Sequence, residues 1–173
     1  MRFVILAAAA LLMAVGVAFA QQGQLPLGTR ISGVAEVYDA DTVTINGVRI
    51  RLDGYDAPEL GRQCAGGFNA GRHVRDLLRV WARDRQMTCV VTGYDGRNGR
   101  PVARCTIGGL DLGARLVRAG WARDWPLYSC GFYAADEAAA RRERAGVWGM
   151  SCPNLWPENR DYARRCRAGA PRR

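Results

Sequence analysis

Lysine is absent from this chain: all 25 basic residues are arginine. GC-rich coding accounts for such a bias. The physical consequence stands regardless, because every basic side chain is then a planar fork that matches phosphate geometry. Histidine occurs once, as His73, and no two cysteines form a C-x-x-C pair. These two absences argue against a zinc cage and leave His73 as a solvated or packing residue on a helix. Beyond Ala20 no stretch is long and apolar enough to span a bilayer. No cysteine directly follows Ala20, so a lipoprotein anchor is not indicated, and no segment repeats itself.

What is present begins with a leader. Residues 1–20 carry one charge, Arg2, then an apolar run ending in Ala18-Phe19-Ala20. That small-x-small ending is the form of a signal peptide cleaved after Ala20; the alternative is an uncleaved anchor. Cleavage removes only the charge of Arg2 from a formal net charge of +9, with a pI near 9.9 for the whole chain. A basic export product suggests contact with polyanions. The expected location is periplasmic or secreted, without stable membrane association after cleavage. The remaining residues suit one domain, and nothing signals an oligomer, so a monomer is expected.

Six cysteines behind a leader point to disulfides in an oxidising compartment. Residues 21–30 read as a flexible lead-in. Strand signals follow at Ile31 to Val37, Thr42 to Ile45 and Val48 to Leu52, the last two joined by the hairpin dipeptide Asn46-Gly47. Gly54 marks a bulge or a close backbone approach. Phe68 to Arg83 has helix spacing, with Val74, Leu77, Leu78 and Trp81 on one face. Met87 to Thr92 and Val102 to Ile107 read as paired strands. Antiparallel pairing sets Cys89 beside Cys105, the first expected disulfide. Asp111 caps a helix that stops at Gly120, and Tyr133 to Arg144 forms another. The expected fold is α+β: a five-stranded OB-type β-barrel with about three α-helices over residues 31–149. Residues 150–173 read as a basic tail stapled by Cys152–Cys166. The remaining pair, Cys64–Cys130, would join two loops at the mouth of the site.

The segment Val37 to Glu59 crowds five carboxylates (Asp39, Asp41, Asp53, Asp56 and Glu59) into one hairpin of a basic chain. Like carboxylates raise each other's pKa, and a hard cation such as Ca²⁺, which prefers oxygen ligands, relieves that penalty. Arg51 on the hairpin and Arg100 from the Asp95–Arg100 loop add two guanidinium forks. A metal pocket, a free carboxylate and two forks are what phosphodiester hydrolysis requires. Spacing alone does not exclude parts for Arg49, Asp39 or Asp53.

Five motifs then carry a resemblance. They are Asp39-Ala-Asp-Thr-Val43, Arg51-Leu-Asp-Gly-Tyr-Asp-Ala-Pro-Glu59, Gly99-Arg100, Leu116-Val-Arg-Ala-Gly-Trp-Ala122 and Arg144-Ala-Gly-Val-Trp148. In this order the chain resembles the staphylococcal nuclease (thermonuclease) family, OB-fold calcium-dependent nucleases, over about residues 31–149. The resemblance implies Ca²⁺ held by Asp41, Asp56 and the main-chain carbonyl of Ala57. It implies catalysis by Arg51, Glu59 and Arg100, with Glu59 activating water and 3′-phosphate products. The implied substrate is DNA or RNA, single-stranded or frayed, recognised with little sequence specificity. Two departures stand out: Ala57 replaces a frequent Thr, and the loop Tyr94-Asp-Gly-Arg-Asn-Gly-Arg100 differs enough that Arg97 is an alternative to Arg100. The base-stacking aromatics correspond to Trp125 and Tyr128, which could equally serve as lids on the core. The competing readings are a non-catalytic nucleic-acid-binding OB module and a domain that binds calcium only for stability.

Overall fold

The computed structural model describes residues 24–96, 99–157, 159–164 and 166. The leader and Arg97 lie outside them. Five strands close a barrel: β1 (Arg30–Val37), β2 (Thr42–Ile45), β3 (Val48–Leu52), β5 (Gln86–Tyr94) and β6 (Pro101–Ile107), with β4 (Tyr55–Asp56) intervening in the chain. Neighbouring strands pair antiparallel except where β3 meets β6 in parallel, through Arg51↔Val102 and Leu52↔Ala103, and closes the barrel. A short sixth strand, β7 (Leu110–Asp111), pairs with β6 outside it. This is an α+β fold of OB type.

The sequence pattern accounts for these elements. In β5, residues Met87, Cys89 and Val91 point inward while Gln86, Thr88 and Val90 alternate outward; in β6, Ala103, Cys105 and Ile107 do the same. One face of each strand is therefore apolar and buried, which pins the register. Asn46 and Gly47 both take positive φ, as a tight hairpin turn between β2 and β3 requires. The helix α1 (Ala70–Ala82) starts two residues later than the apolar periodicity suggests, because the Asn69 side chain accepts from Arg72 N at 2.8 Å and caps it. Val74, Leu78 and Ala82 bury against the barrel. His73 packs against Trp121, with ring centroids 4.3 Å apart. The helix α2 (Leu112–Arg118) is capped by Asp111, whose side chain accepts from Ala114 N. After β8 (Arg123–Asp124) come α3 (Pro126–Ser129) and α4 (Ala134–Arg142).

The three disulfides correct part of the sequence expectation. Cys89–Cys105 forms between directly opposed, buried residues of β5 and β6. The other two are Cys64–Cys152 and Cys130–Cys166, in place of Cys152–Cys166 and Cys64–Cys130. The tail does not staple to itself, because it folds back onto the domain. Ala65 N donates to Ser151 O, and Cys166 N donates to Pro126 O. Leu155 is buried in a second small core with Cys64, Ala70 and Val147. Three disulfides suit an oxidising, extracytoplasmic location. Among the described residues no helix is long and apolar enough to cross a membrane.

Candidate active site

The site is assembled where the barrel closes. Pairing of Thr42 with Arg51 sets Arg51 beside Asp41, and Arg51 Nη1 lies 2.8 Å from Asp41 Oδ2. Parallel pairing of Arg51 with Val102 brings the residue before β6, Arg100, to the same end of the barrel. A bulge in β5 between Val91 and Gly93 leaves Thr92 to donate to Asp53 Oδ2 at 2.8 Å, while Asp53 N donates to Ala103 O. Asp53 is buried, and these contacts give it a part in closing the barrel.

After Asp53 the chain leaves the barrel. Gly54 takes φ +83°, and a Cβ there would come within 3.0 Å of the Tyr133 ring and 3.3 Å of the Ser129 backbone, the close approach expected of it. The next residues pair as β4 with β8, Tyr55↔Asp124 and Asp56↔Arg123. The buried Tyr55 hydroxyl donates to Ala40 O at 2.9 Å, tying β4 to the turn that carries Asp41. In that turn Asp39 Oδ1 accepts from Asp41 N, and Thr42 Oγ1 donates to Asp41 Oδ1. Burial, then the charge of Asp41, raises the Asp39 carboxyl to about 6. Glu59 follows the break at Pro58. Its carbonyl lies against the first turn of α1, where a Cβ on Gly71 would fall 2.1 Å from Glu59 O. Gly71 is thus a position that sequence reasoning missed. Only a residue without Cβ allows the helix to seat the Glu59 backbone.

An open cleft of about 1540 Å³ is lined by Arg49, Arg51, Arg100, Trp125, Tyr128 and Arg160, among others. Trp125 and Tyr128 meet edge to face at 4.6 Å. Arg49 lies over the Tyr38 ring, 4.4 Å from its centroid. Arg100 Nε is 2.8 Å from Asp95 Oδ2. The two arginines and two aromatics named from the sequence therefore share one cleft, and Asp41, Asp56 and Glu59 adjoin it behind Arg51 and Arg160.

Arg160 and Tyr162 were not anticipated. Asp56 is 0% exposed. It accepts from Arg160 Nη1 at one oxygen and from the Tyr162 hydroxyl at the other. Arg160 Nη2 also donates to Glu59 Oε1 at 2.7 Å. Burial raises the Asp56 carboxyl above its ordinary value, opposed by Tyr162 and Arg160, with the Asp41 charge adding to the rise. For Arg51, burial works against the charged form, but Asp41 and Asp56 outweigh it and its pKa stands above the usual arginine value. The tail has no periodicity to announce such contacts. The available signal was only that Cys152 and Cys166 flank a basic and aromatic segment.

The donor chemistry suits a hard cation, since two close carboxylate groups, one wholly buried, require a compensating positive charge. Among the described residues, however, no three His, Cys, Asp or Glu side chains gather as a metal cage, and Ala57 contributes a buried position rather than a side-chain ligand. In the folded chain Arg51 and Arg160 supply that charge, and the Tyr162 hydroxyl adds a hydrogen bond.

No family model matches the chain. It is similar to the succinoglycan biosynthesis protein ExoI of Rhizobium meliloti (strain 1021), 32% identical over 124 residues, covering 68% of this chain and 64% of that protein. The chain thus spans less than two thirds of the length of the curated relative it matches.

Proposed function

We propose that the chain is an exported, calcium-dependent nuclease that hydrolyses phosphodiester bonds in DNA or RNA, acting in the periplasm or the medium. The observation that carries this reading is the cleft that joins Arg51, Arg100, Trp125 and Tyr128 beside the acids of the β2–β4 segment. A basic cleft with aromatic faces suits single-stranded nucleic acid with little sequence preference. Calcium, when bound, would draw charge from a non-bridging phosphate oxygen, and Asp41, Asp56 and the Ala57 carbonyl are the groups that would hold it. Glu59 keeps half of its side chain in solvent, and as general base it would take a proton from the attacking water. Arg51 and Arg100 would grip the phosphoryl oxygens as negative charge builds. The water oxygen would bond to phosphorus as Glu59 takes its proton, the bond to the 5′-oxygen would break, and that oxygen would leave as a 5′-hydroxyl with a proton from solvent, so that a 3′-phosphate remains.

The second reading is a non-catalytic nucleic-acid-binding OB module. It is favoured by the ion pairs Arg51–Asp41, Arg160–Asp56 and Arg160–Glu59, which neutralise the acids without a metal. The test incubates purified protein with plasmid DNA and a labelled single-stranded oligonucleotide, in calcium chloride or in chelator. Calcium-dependent cleavage to 3′-phosphate ends supports the nuclease, and binding without cleavage selects the module. Absence of both sinks both readings. The name of the similar protein links that protein to succinoglycan biosynthesis. A polysaccharide competitor in the binding arm therefore tests whether the cleft prefers such a polymer.

A further inference from the structure

A carboxylate that serves as a metal ligand must present oxygen lone pairs to the ion. Both oxygens of Asp56 are already engaged by the tail: Arg160 donates to Oδ1 and Tyr162 donates to Oδ2. The same guanidinium reaches Glu59 with its other terminal nitrogen. One tail residue therefore bridges the buried carboxylate and the half-exposed one. A guanidinium neutralises such a pair but has no open coordination position, so it cannot polarise a phosphate oxygen as a metal does.

The pose has independent supports. The Arg123 guanidinium lies 3.5 Å from the centroid of the Tyr162 ring, and the Trp125 ring is 5.9 Å away. Arg160 stands over Trp125 at 5.2 Å. On the N-terminal side Leu155 is buried and Cys152 is bonded to Cys64, in the loop after Glu59. On the C-terminal side Cys166 is bonded to Cys130, at the end of α3. The segment is tethered at both ends across the mouth of the cleft. Its two donors act on Asp56 as an intramolecular ligand, whose effective concentration is set by the tether. Contacts made through side-chain tips can be exchanged for a doubly charged cation without unfolding anything else.

We propose that Arg160 and Tyr162 form an internal plug that competes with a divalent cation for Asp56 and screens Glu59, so that the site opens only when the cation displaces them. The plug rests on the calcium reading given under Proposed function.

Calorimetric titration of the whole mature protein with calcium chloride tests it, comparing wild type, Arg160→Ala and Tyr162→Phe, with folding checked by circular dichroism. Arg160→Ala should bind calcium about 10- to 100-fold more tightly, the range for removing one competing charge-assisted hydrogen bond. Tyr162→Phe keeps the ring contacts and loses only the hydroxyl, so it should gain less, in the same direction. In wild type, added calcium should also speed tryptic cleavage after Arg160, read by peptide mass. Equal calcium affinity in all three proteins, or no binding by any, overturns the plug. Failure of the nuclease reading is seen separately. Variants that bind calcium more tightly while no protein cleaves DNA keep the plug and lose the nuclease. Calcium-dependent cleavage by wild type with no gain in the variants does the reverse.

Discussion

Asp41 and Asp56 are both neutralised by arginine, but from opposite directions. The partner of Asp41 is Arg51 on β3, which pairs with Thr42, the residue that follows Asp41. The partner of Asp56 is Arg160, 104 residues away on the tail. The β2–β3 ladder holds the two side chains of the first pair within reach of each other. The second depends on a segment that leaves the domain and returns. Equal chemistry thus has unequal permanence, and the remote pair is the one that can be exchanged for another cation.

That contrast is sharpest in kinetics. Glu59→Gln removes the proposed proton acceptor, which the remote arginine covers, and turnover should fall about 10²–10⁴-fold, the span for loss of a general base. Retention of more than about a tenth of wild-type turnover at saturating calcium would show that Glu59 is not the base. Next in size is Arg51→Lys, which keeps the charge but loses the fork, with an expected fall of roughly 10²–10³ in kcat. Arg100→Lys should follow it. A silent Arg100→Lys beside a damaging Arg97→Lys would transfer the clamp to Arg97. The comparison breaks if Arg51→Lys raises calcium affinity as Arg160→Ala is expected to, because the two arginines would then be equivalent.

The disulfides divide along the same line. Replacing Cys89 and Cys105 by serine opens a loop of 16 residues inside the barrel and should lower global stability by about 3 kcal/mol by chain-entropy arithmetic. Replacing Cys130 and Cys166 should leave the barrel's thermal midpoint within a few degrees while raising proteolysis of the tail, since the tail can detach locally. Equal loss of midpoint in both variants would mean that tail and barrel unfold as one unit. The smallest expected effect on the fold is that of chelation. It should abolish cleavage and leave the far-UV circular dichroism unchanged, because Arg51 and Arg160 already balance the acids. A chelated protein that unfolds at room temperature makes the cation structural instead.

The barrel was legible because its signals are local. Alternation in β2, β3, β5 and β6, the Asn46-Gly47 turn and the Cys89–Cys105 pairing all follow from neighbours on a ladder. Arg51 and Arg100 were legible because they lie on or beside barrel strands, whereas Trp125 and Tyr128, at the start of α3, were named only through the family resemblance. The two-residue strands β4, β7 and β8 have no period to detect. The pairings Cys64–Cys152 and Cys130–Cys166 depend on the path of a segment without repeating pattern, where many closures are sterically open. Arg160 and Tyr162 shared that invisibility. Gly71 was hidden differently, since a glycine near a helix start reads as tolerance, whereas its role lies in the backbone of another segment.

The tail disulfides also fix the covalent topology of the chain. Cys152 and Cys166 each close a ring with the body of the protein, and the two rings overlap over residues 130–152. A single peptide-bond cut between them therefore detaches nothing. The C-terminal piece stays joined through Cys130, and the product runs as one species until a reductant is added. A nick after Arg160 would leave mass and composition intact apart from one added water, yet give the two donors of Asp56 independent ends.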